Sequence, residues 1–114
     1  MAAYSSEQGN IITLEFDPQA GHEQKGRRPA IVVSNNVFDN FTKMAMLCPI
    51  MNTRRGFPLH IALDSRTTTG VVMCGQVKAL DISVRNVSFK EKAPSNIIEE
   101  VADIIFGFIE LPSK

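Results

Sequence analysis

The strongest constraint on the fold lies near the C-terminal end. Ile97, Ile98, Val101, Ile104, Ile105 and Phe108 fall on one face of an α-helix. Pro94-Ser95-Asn96 supplies a start signal, and Asn96 with Glu99 three residues on resembles a capping pair. The spacing predicts a helix from about Asn96 to Glu110, with Gly107 weakening its last turn. Upstream, apolar residues come in short runs with turn residues between them, which is the pattern of strands.

Ile11–Phe16 reads as a strand stopped by Asp17-Pro18, and Pro29–Ser34 as a buried strand of small and β-branched residues. A polar, glycine-bearing loop, Gln19–Arg28, joins them. Asn35–Asn40 reads as a short helical turn. Met44–Met51 and Phe57–Leu63 are two more strands, flanking the basic loop Asn52–Gly56. Gly70–Cys74 and Gln76–Leu80 follow, with Gly75 as a kink or bulge between them. Ser83–Lys92 holds one more short strand or an irregular stretch. Short strands followed by one amphipathic helix imply a mainly β, α+β fold: a small, strongly bent, barrel-like sheet with helical cover. At 114 residues the chain fits a single domain, residues 1–114, and its 44% hydrophobic content suffices for a core.

Twelve basic and twelve acidic side chains cancel, which taken alone argues against a nucleic-acid binder. Their distribution argues the other way. Between His22 and Arg55 there are six basic residues (Lys25, Arg27, Arg28, Lys43, Arg54, Arg55) against two acidic ones (Glu23, Asp39). A local basic face on a neutral protein still attracts phosphate. Cys48 and Cys74 sit in apolar runs without metal-ligand spacing, so buried free thiols are expected, with no metal and no cofactor. The polar segment Met1–Asn10 lacks the apolar stretch of a signal peptide, and no run is long enough to span a membrane, so a cytoplasmic protein is expected.

The densest chemistry lies in Asp17-Pro18-Gln19-Ala20-Gly21-His22-Glu23-Gln24-Lys25-Gly26-Arg27-Arg28-Pro29, followed by the apolar run Ala30–Val33. RNA carries its own nucleophile, the 2′-hydroxyl. Cutting it requires a base for that proton, a cation for the phosphorane and an acid for the leaving 5′-oxygen. Histidine and glutamate move protons, and arginine pairs bidentately with phosphate while staying charged. The segment His22–Arg28 offers all three types. The alternative reading is that Glu23 and Arg28 merely pin a loop as an ion pair.

This stretch resembles the signature loop of the MazF/PemK family of toxin endoribonucleases, and Gly-His-Glu-Gln is closest to the PemK branch. Thr68-Thr69-Gly70-Val71-Val72 with Cys74, Gln76 and Asp81 is similar to a second family motif, and the region before Gly56-Phe57-Pro58 to a third. The resemblance implies the CcdB/PemK/MazF type of SH3-like barrel. It also implies a type II toxin that cuts single-stranded RNA or mRNA without a metal and so inhibits translation and growth. A homodimer and a MazE/PemI-like antitoxin laid as an extended acidic segment along the RNA groove are further implications.

Arg28 maps onto the catalytic Arg-Pro position. Glu23 is then a base or the residue that orients Arg28, His22 a second proton mover or a substrate contact, and Thr53 a shifted candidate for the family's Thr or Ser. Gln24, Lys25, Arg27, Arg54 and Arg55 are candidate RNA contacts. Phe57 is either a stacking platform or core, and Thr69, Gln76 and Lys78 are candidate wall residues brought together near Gly75.

Two positions depart from the pattern. Gly75 stands where relatives carry an acid, and Met73 where the PemK branch carries arginine. The chemistry then runs from His22, Glu23 and Arg28, or the chain is a weak or inactive member that binds only RNA or antitoxin. A CcdB-like gyrase inhibitor is disfavoured because that type uses a tryptophan near its C-terminus and this chain has none. A noncatalytic SH3-like binding module would have no reason to hold His22, Glu23 and Arg28 together.

Overall fold

Residues buried on both sides make continuous apolar runs, and the centre of the sheet is built from such strands. The computed structural model describes residues 4–16, 26–52 and 60–112. Among these described residues seven antiparallel strands and two helices follow in the order β1 (Asn10–Glu15), β2 (Arg27–Val32), α1 (Asn36–Thr42), β3 (Ala45–Met51), β4 (His60–Asp64), β5 (Thr69–Met73), β6 (Lys78–Leu80), β7 (Ser88–Lys92) and α2 (Ser95–Ile109). Short 3-10 turns, Cys74–Gln76 and Ile82–Val84, lie after β5 and β6. The main strand path is β4-β5-β3-β2-β1-β7.

Along β1, β2 and β3 alternate side chains enter two cores. Ile11, Ile31, Cys48 and Ile50 face α2, where Ile97 and Val101 complete the layer with Ile61, Leu63 and Val72. Ile12, Leu14, Phe16, Ala30, Val32, Ala45 and Leu47 form the second core on the opposite face. The expected amphipathic helix is present, one residue earlier than its sequence signals suggest. It starts at Ser95 after Pro94, which makes no side-chain cap, so Asn96 lies inside the helix rather than capping it. Asn35 caps α1, its side-chain oxygen accepting from the Phe38 amide at 3.0 Å. Lys43, in the left-handed region at φ 61°, ends that helix.

The segment Gly70–Leu80 is one bent path along a single edge of β3. β5 pairs with the end of β3 (Ile50↔Val72, Met51↔Val71) and β6 with its beginning (Ala45↔Leu80, Leu47↔Lys78). The break expected at Gly75 is the 3-10 turn Cys74–Gln76.

The sheet is strongly curled. β4 and β7 are its two edges, five strand spacings apart, or about 24 Å if the sheet were flat. Yet Ser65 Oγ, in the turn after β4, donates to Glu91 Oε1 on β7 at 2.6 Å. Thr67 adds bonds to Glu91 Oε2 from its amide at 3.0 Å and its hydroxyl at 2.7 Å. Glu91 therefore ties the edges across the barrel's opening, and these bonds, the Ser65 hydroxyl foremost, hold its carboxyl down at about 2.

Candidate active site

Arg28 lies in β2 rather than in the loop that the sequence pattern suggested. The strand begins at Arg27, and the register pairs Leu14 with Arg28 and Glu15 with Arg27 across β1. Cross-strand hydrogen bonding holds these residues extended although their side chains are exposed and charged. By alternation Arg28 shares a face with Ala30 and Val32, the face of the second core, but it lies beyond the buried residues, at the open end of that face. The Phe16 amide donates to the Gly26 carbonyl at 3.0 Å, which closes the stem from which residues 17–25 spring.

Lys78 belongs to the same face, opposite Leu47 of β3. Its Nζ lies 5.9 Å from the centroid of the buried Phe16 ring. β6 and β1 have β3 and β2 between them, so the curl of the sheet makes this cation–π contact possible. Two cationic side chains, Arg28 and Lys78, thus stand on one face of a curled sheet with an aromatic ring beneath the second. The two cations suit an anionic partner such as a phosphate chain, while the fully buried Phe16 ring serves to position Lys78.

Gln76 is half-buried in the 3-10 turn, and its Oε1 has no hydrogen-bond partner among the described residues. Thr69 opens β5, at the far end from Gln76. About 13 Å of extended strand separates Thr69 from Met73, so Thr69 and Gln76 are not brought together near Gly75 as expected. Met73 is half-buried at the end of β5 and pairs with His60 of β4. A Cβ added at Gly75 would meet nothing within 4 Å. His22, Glu23, Gln24, Lys25, Thr53, Arg54, Arg55 and Phe57 lie outside the described residues.

Arg27 points to the other face. Its Nη1 donates to the Asn86 carbonyl at 2.6 Å and its Nη2 to Ser88 Oγ at 2.9 Å. Arg85 Nη1 donates to the Glu15 carbonyl at 3.1 Å, and the Glu15 amide donates back to the Arg85 carbonyl at 2.9 Å. No local pattern announces these partners, because they stand 59 to 70 residues apart.

Cys48 and Cys74 are free thiols, both fully buried. The neighbouring Cys74 thiol and burial push Cys48 well above the ordinary thiol range, so neither its exposure nor its ionisation suits a nucleophile. Among the described residues no group of three or more His, Cys, Asp or Glu side chains could hold a metal ion, and no helix is long and apolar enough to cross a membrane.

Comparison with known proteins agrees with the fold. The structure resembles the crystal structure of MazF from Deinococcus radiodurans, with a TM-score of 0.87, 31% identity and coverage of 96% of this chain and 100% of that one. It also resembles the MazE–MazF complex of that organism, with a TM-score of 0.80 and 24% identity, over 96% of this chain and 100% of the other. In sequence it is 35% identical over 100 residues to the endoribonuclease PemK of Escherichia coli, covering 83% of this chain and 75% of that protein. It is 32% identical over 90 residues to the endoribonuclease toxin MazF of Escherichia coli K12, covering 79% and 81%. Residues 7–106 match the family described as PemK-like, MazF-like toxin of type II toxin–antitoxin system. The gyrase-inhibitor reading is set aside by these matches. With its curled antiparallel sheet, its C-terminal helix and its Arg-Pro strand opening all in agreement, the chain belongs to the PemK-like, MazF-like family of type II toxins.

Proposed function

We propose that this protein is a sequence-selective endoribonuclease and the toxin of a toxin–antitoxin pair, cutting single-stranded RNA by attack of the substrate's own 2′-hydroxyl. The observation that carries this reading is the position of Arg28, exposed on the Lys78 face and two residues from the closed stem Phe16–Gly26 in a chain of this family.

In the proposed reaction a proton leaves the 2′-hydroxyl, to Glu23 directly or with His22 as a second proton mover. The 2′-oxygen attacks the adjacent phosphorus, and negative charge grows on the phosphorane oxygens. The Arg28 guanidinium pairs with those oxygens, and the P–O5′ bond breaks as the leaving 5′-oxygen takes a proton from Arg28 or from His22, the second proton mover. The products are a 2′,3′-cyclic phosphate and a 5′-hydroxyl. No metal is needed, because an intramolecular nucleophile and a fixed cation supply the two main demands. Gln24, Lys25, Thr53, Arg54, Arg55 and Phe57 are assigned to the RNA groove by the resemblance, with Gln76 and Lys78 along its wall. The consequence is loss of mRNA, arrested translation and arrested growth, with the cytoplasm as the place of action.

Two partners belong to the same proposal. Phe106, Phe108, Ile109 and Leu111 are exposed on and just after the last turns of α2, an apolar surface that supports association with a second copy. Similarity to a toxin solved with its antitoxin supports a MazE/PemI-like partner, whose acidic segment would compete with RNA for the basic face.

The test is to incubate purified protein with mixed-sequence single-stranded RNA and a chelator, then map the ends. The intact protein is expected to leave cyclic-phosphate ends at a restricted set of sites. Arg28→Ala is expected to lose about 10²–10³ in rate while staying folded. RNA that survives intact over a wide range of protein concentration removes the enzyme reading.

A further inference from the structure

We infer that Arg27 is a positioning residue for Arg28, acting through a cross-strand tie to the turn that leads into β7 rather than through contact with RNA. The inference rests on the catalytic reading of Arg28 proposed above.

Strand alternation sends the two adjacent arginines to opposite faces, so one doublet has two environments. Arg28 is left at the open end of the second-core face. Arg27 instead reaches across β1. Its Cα partner on β1 is Glu15, and the residue it bonds on the far side, Ser88, is itself paired with Thr13 of β1. The guanidinium thus spans three strands and places two of its N–H groups on fixed acceptors, the Asn86 carbonyl and Ser88 Oγ. A planar fork with both prongs engaged suits a rigid brace, a task a lysine ammonium performs less well.

The acceptor end is itself held. Asn86 adopts a left-handed backbone at φ 53°, which asparagine tolerates better than most residues. Its Nδ2 donates to Glu15 Oε2 at 3.3 Å. Arg85 holds the same Glu15 through its carbonyl and amide. The last residue of β1 and the first of β2 are therefore both fixed to one turn. The residue immediately after Arg27 is Arg28, and the residue after Glu15 is Phe16, which closes on Gly26. Small displacements of a phosphate-binding group cost rate steeply: a shift of about 1 Å costs up to about 10²-fold. Loss of the brace frees the start of β2 in the direction that moves Arg28.

The experiment compares Arg27→Ala, Arg27→Lys and Ser88→Ala with the intact protein. Its readouts are kcat, KM, the salt dependence of RNA binding, and hydrogen exchange at the Glu15 and Phe16 amides without RNA. Arg27→Ala is expected to lower kcat by about tenfold or more with KM nearly unchanged. The slope of log Kd against log salt is expected to stay the same, and both amides to exchange faster. Ser88→Ala, which keeps the Arg27 charge, is expected to move kcat and exchange in the same direction by less, and Arg27→Lys to restore part of the loss.

The opposite result has its own signature. A salt slope reduced by about 0.7, the effect of one phosphate contact on a single strand, with Ser88→Ala neutral, makes Arg27 an RNA contact and overturns the inference. Unchanged kcat and unchanged exchange in Arg27→Ala overturn it as well. Should Arg27→Ala fail to fold, Ser88→Ala decides by the same two readouts. If the intact protein does not cut RNA, the enzyme reading falls, and the tie is judged by exchange alone.

Discussion

Replacing Gly70 with alanine adds one methyl group at a place where β5 passes close to β3. A Cβ there would lie 2.5 Å from the Met51 carbonyl oxygen, 3.1 Å from its carbon and 3.3 Å from Ile50 Cγ2. The nearest atoms are backbone, so relief requires one strand to move against another. Gly70 also has a φ of 145°, a conformation readily adopted only by glycine. Backbone strain of this kind costs about 1–3 kcal/mol, and overpacking about another 1–3 kcal/mol. The sum, about 2–6 kcal/mol, is a large share of the roughly 5–15 kcal/mol that keeps a domain folded.

Gly75 supplies the control. It lies within the 3-10 turn that follows β5, has open space where a Cβ would stand and no positive φ. Gly75→Ala is expected to change stability by less than about 1 kcal/mol, in either direction. With no tryptophan and a single tyrosine, the chain is best followed by far-ultraviolet circular dichroism during urea or thermal unfolding. At roughly 4 °C per kcal/mol for a domain of this size, Gly70→Ala is expected to lower Tm by about 8–24 °C. Equal midpoints for the Gly70 and Gly75 variants would show that β3 and β5 do not approach as described.

Two further expectations follow from the closure of the barrel and from the end of α2. Glu91 has a carboxyl held down at about 2 by Ser65 and Thr67, so its contribution is complete above the ordinary value of about 4.5 and lost as pH falls from there toward 2. Glu91→Gln should therefore lower Tm near neutral pH, with the difference from the intact protein closing over that acid range. A difference that does not depend on pH would place the effect elsewhere than in the carboxylate. Ile109→Asp, on the exposed apolar end of α2 proposed above as the contact with a second copy, should shift sedimentation to the monomer with Tm measured at low concentration little changed. A dimer that survives the substitution would move the interface to another face.

The candidate site was legible in the sequence to the extent that its chemistry is local. The run from Asp17 to Pro29 names the residue types in one stretch, and the register of β1 with β2 accounts for where Arg28 stands. Its division of labour was not legible. Arg27 and Arg28 look alike as a basic pair, and only pairing with β1 tells which side chain faces which core. The wall residues were harder still. Thr69 and Gln76 sit close in sequence, yet the extended backbone of β5 carries them apart, while Lys78 reaches Phe16 from 62 positions away.

Sequence alone determined what repeats along the chain: the helical stripe from Ile97 to Ile105, the buried run Ala30–Val33, and the loop that marks the family, whereas Phe108, expected on the same stripe, is exposed. Those signals are periodic or contiguous, so neighbouring residues encode them. Tertiary structure decided the curl of the sheet, the Glu91 tie between its edges, the close passage of Gly70 by Met51 and the reach of Arg27 to Ser88. Each of these joins segments 19 to 61 residues apart through strand register and twist, and a spacing rule within one element carries no information about which strand will lie beside it.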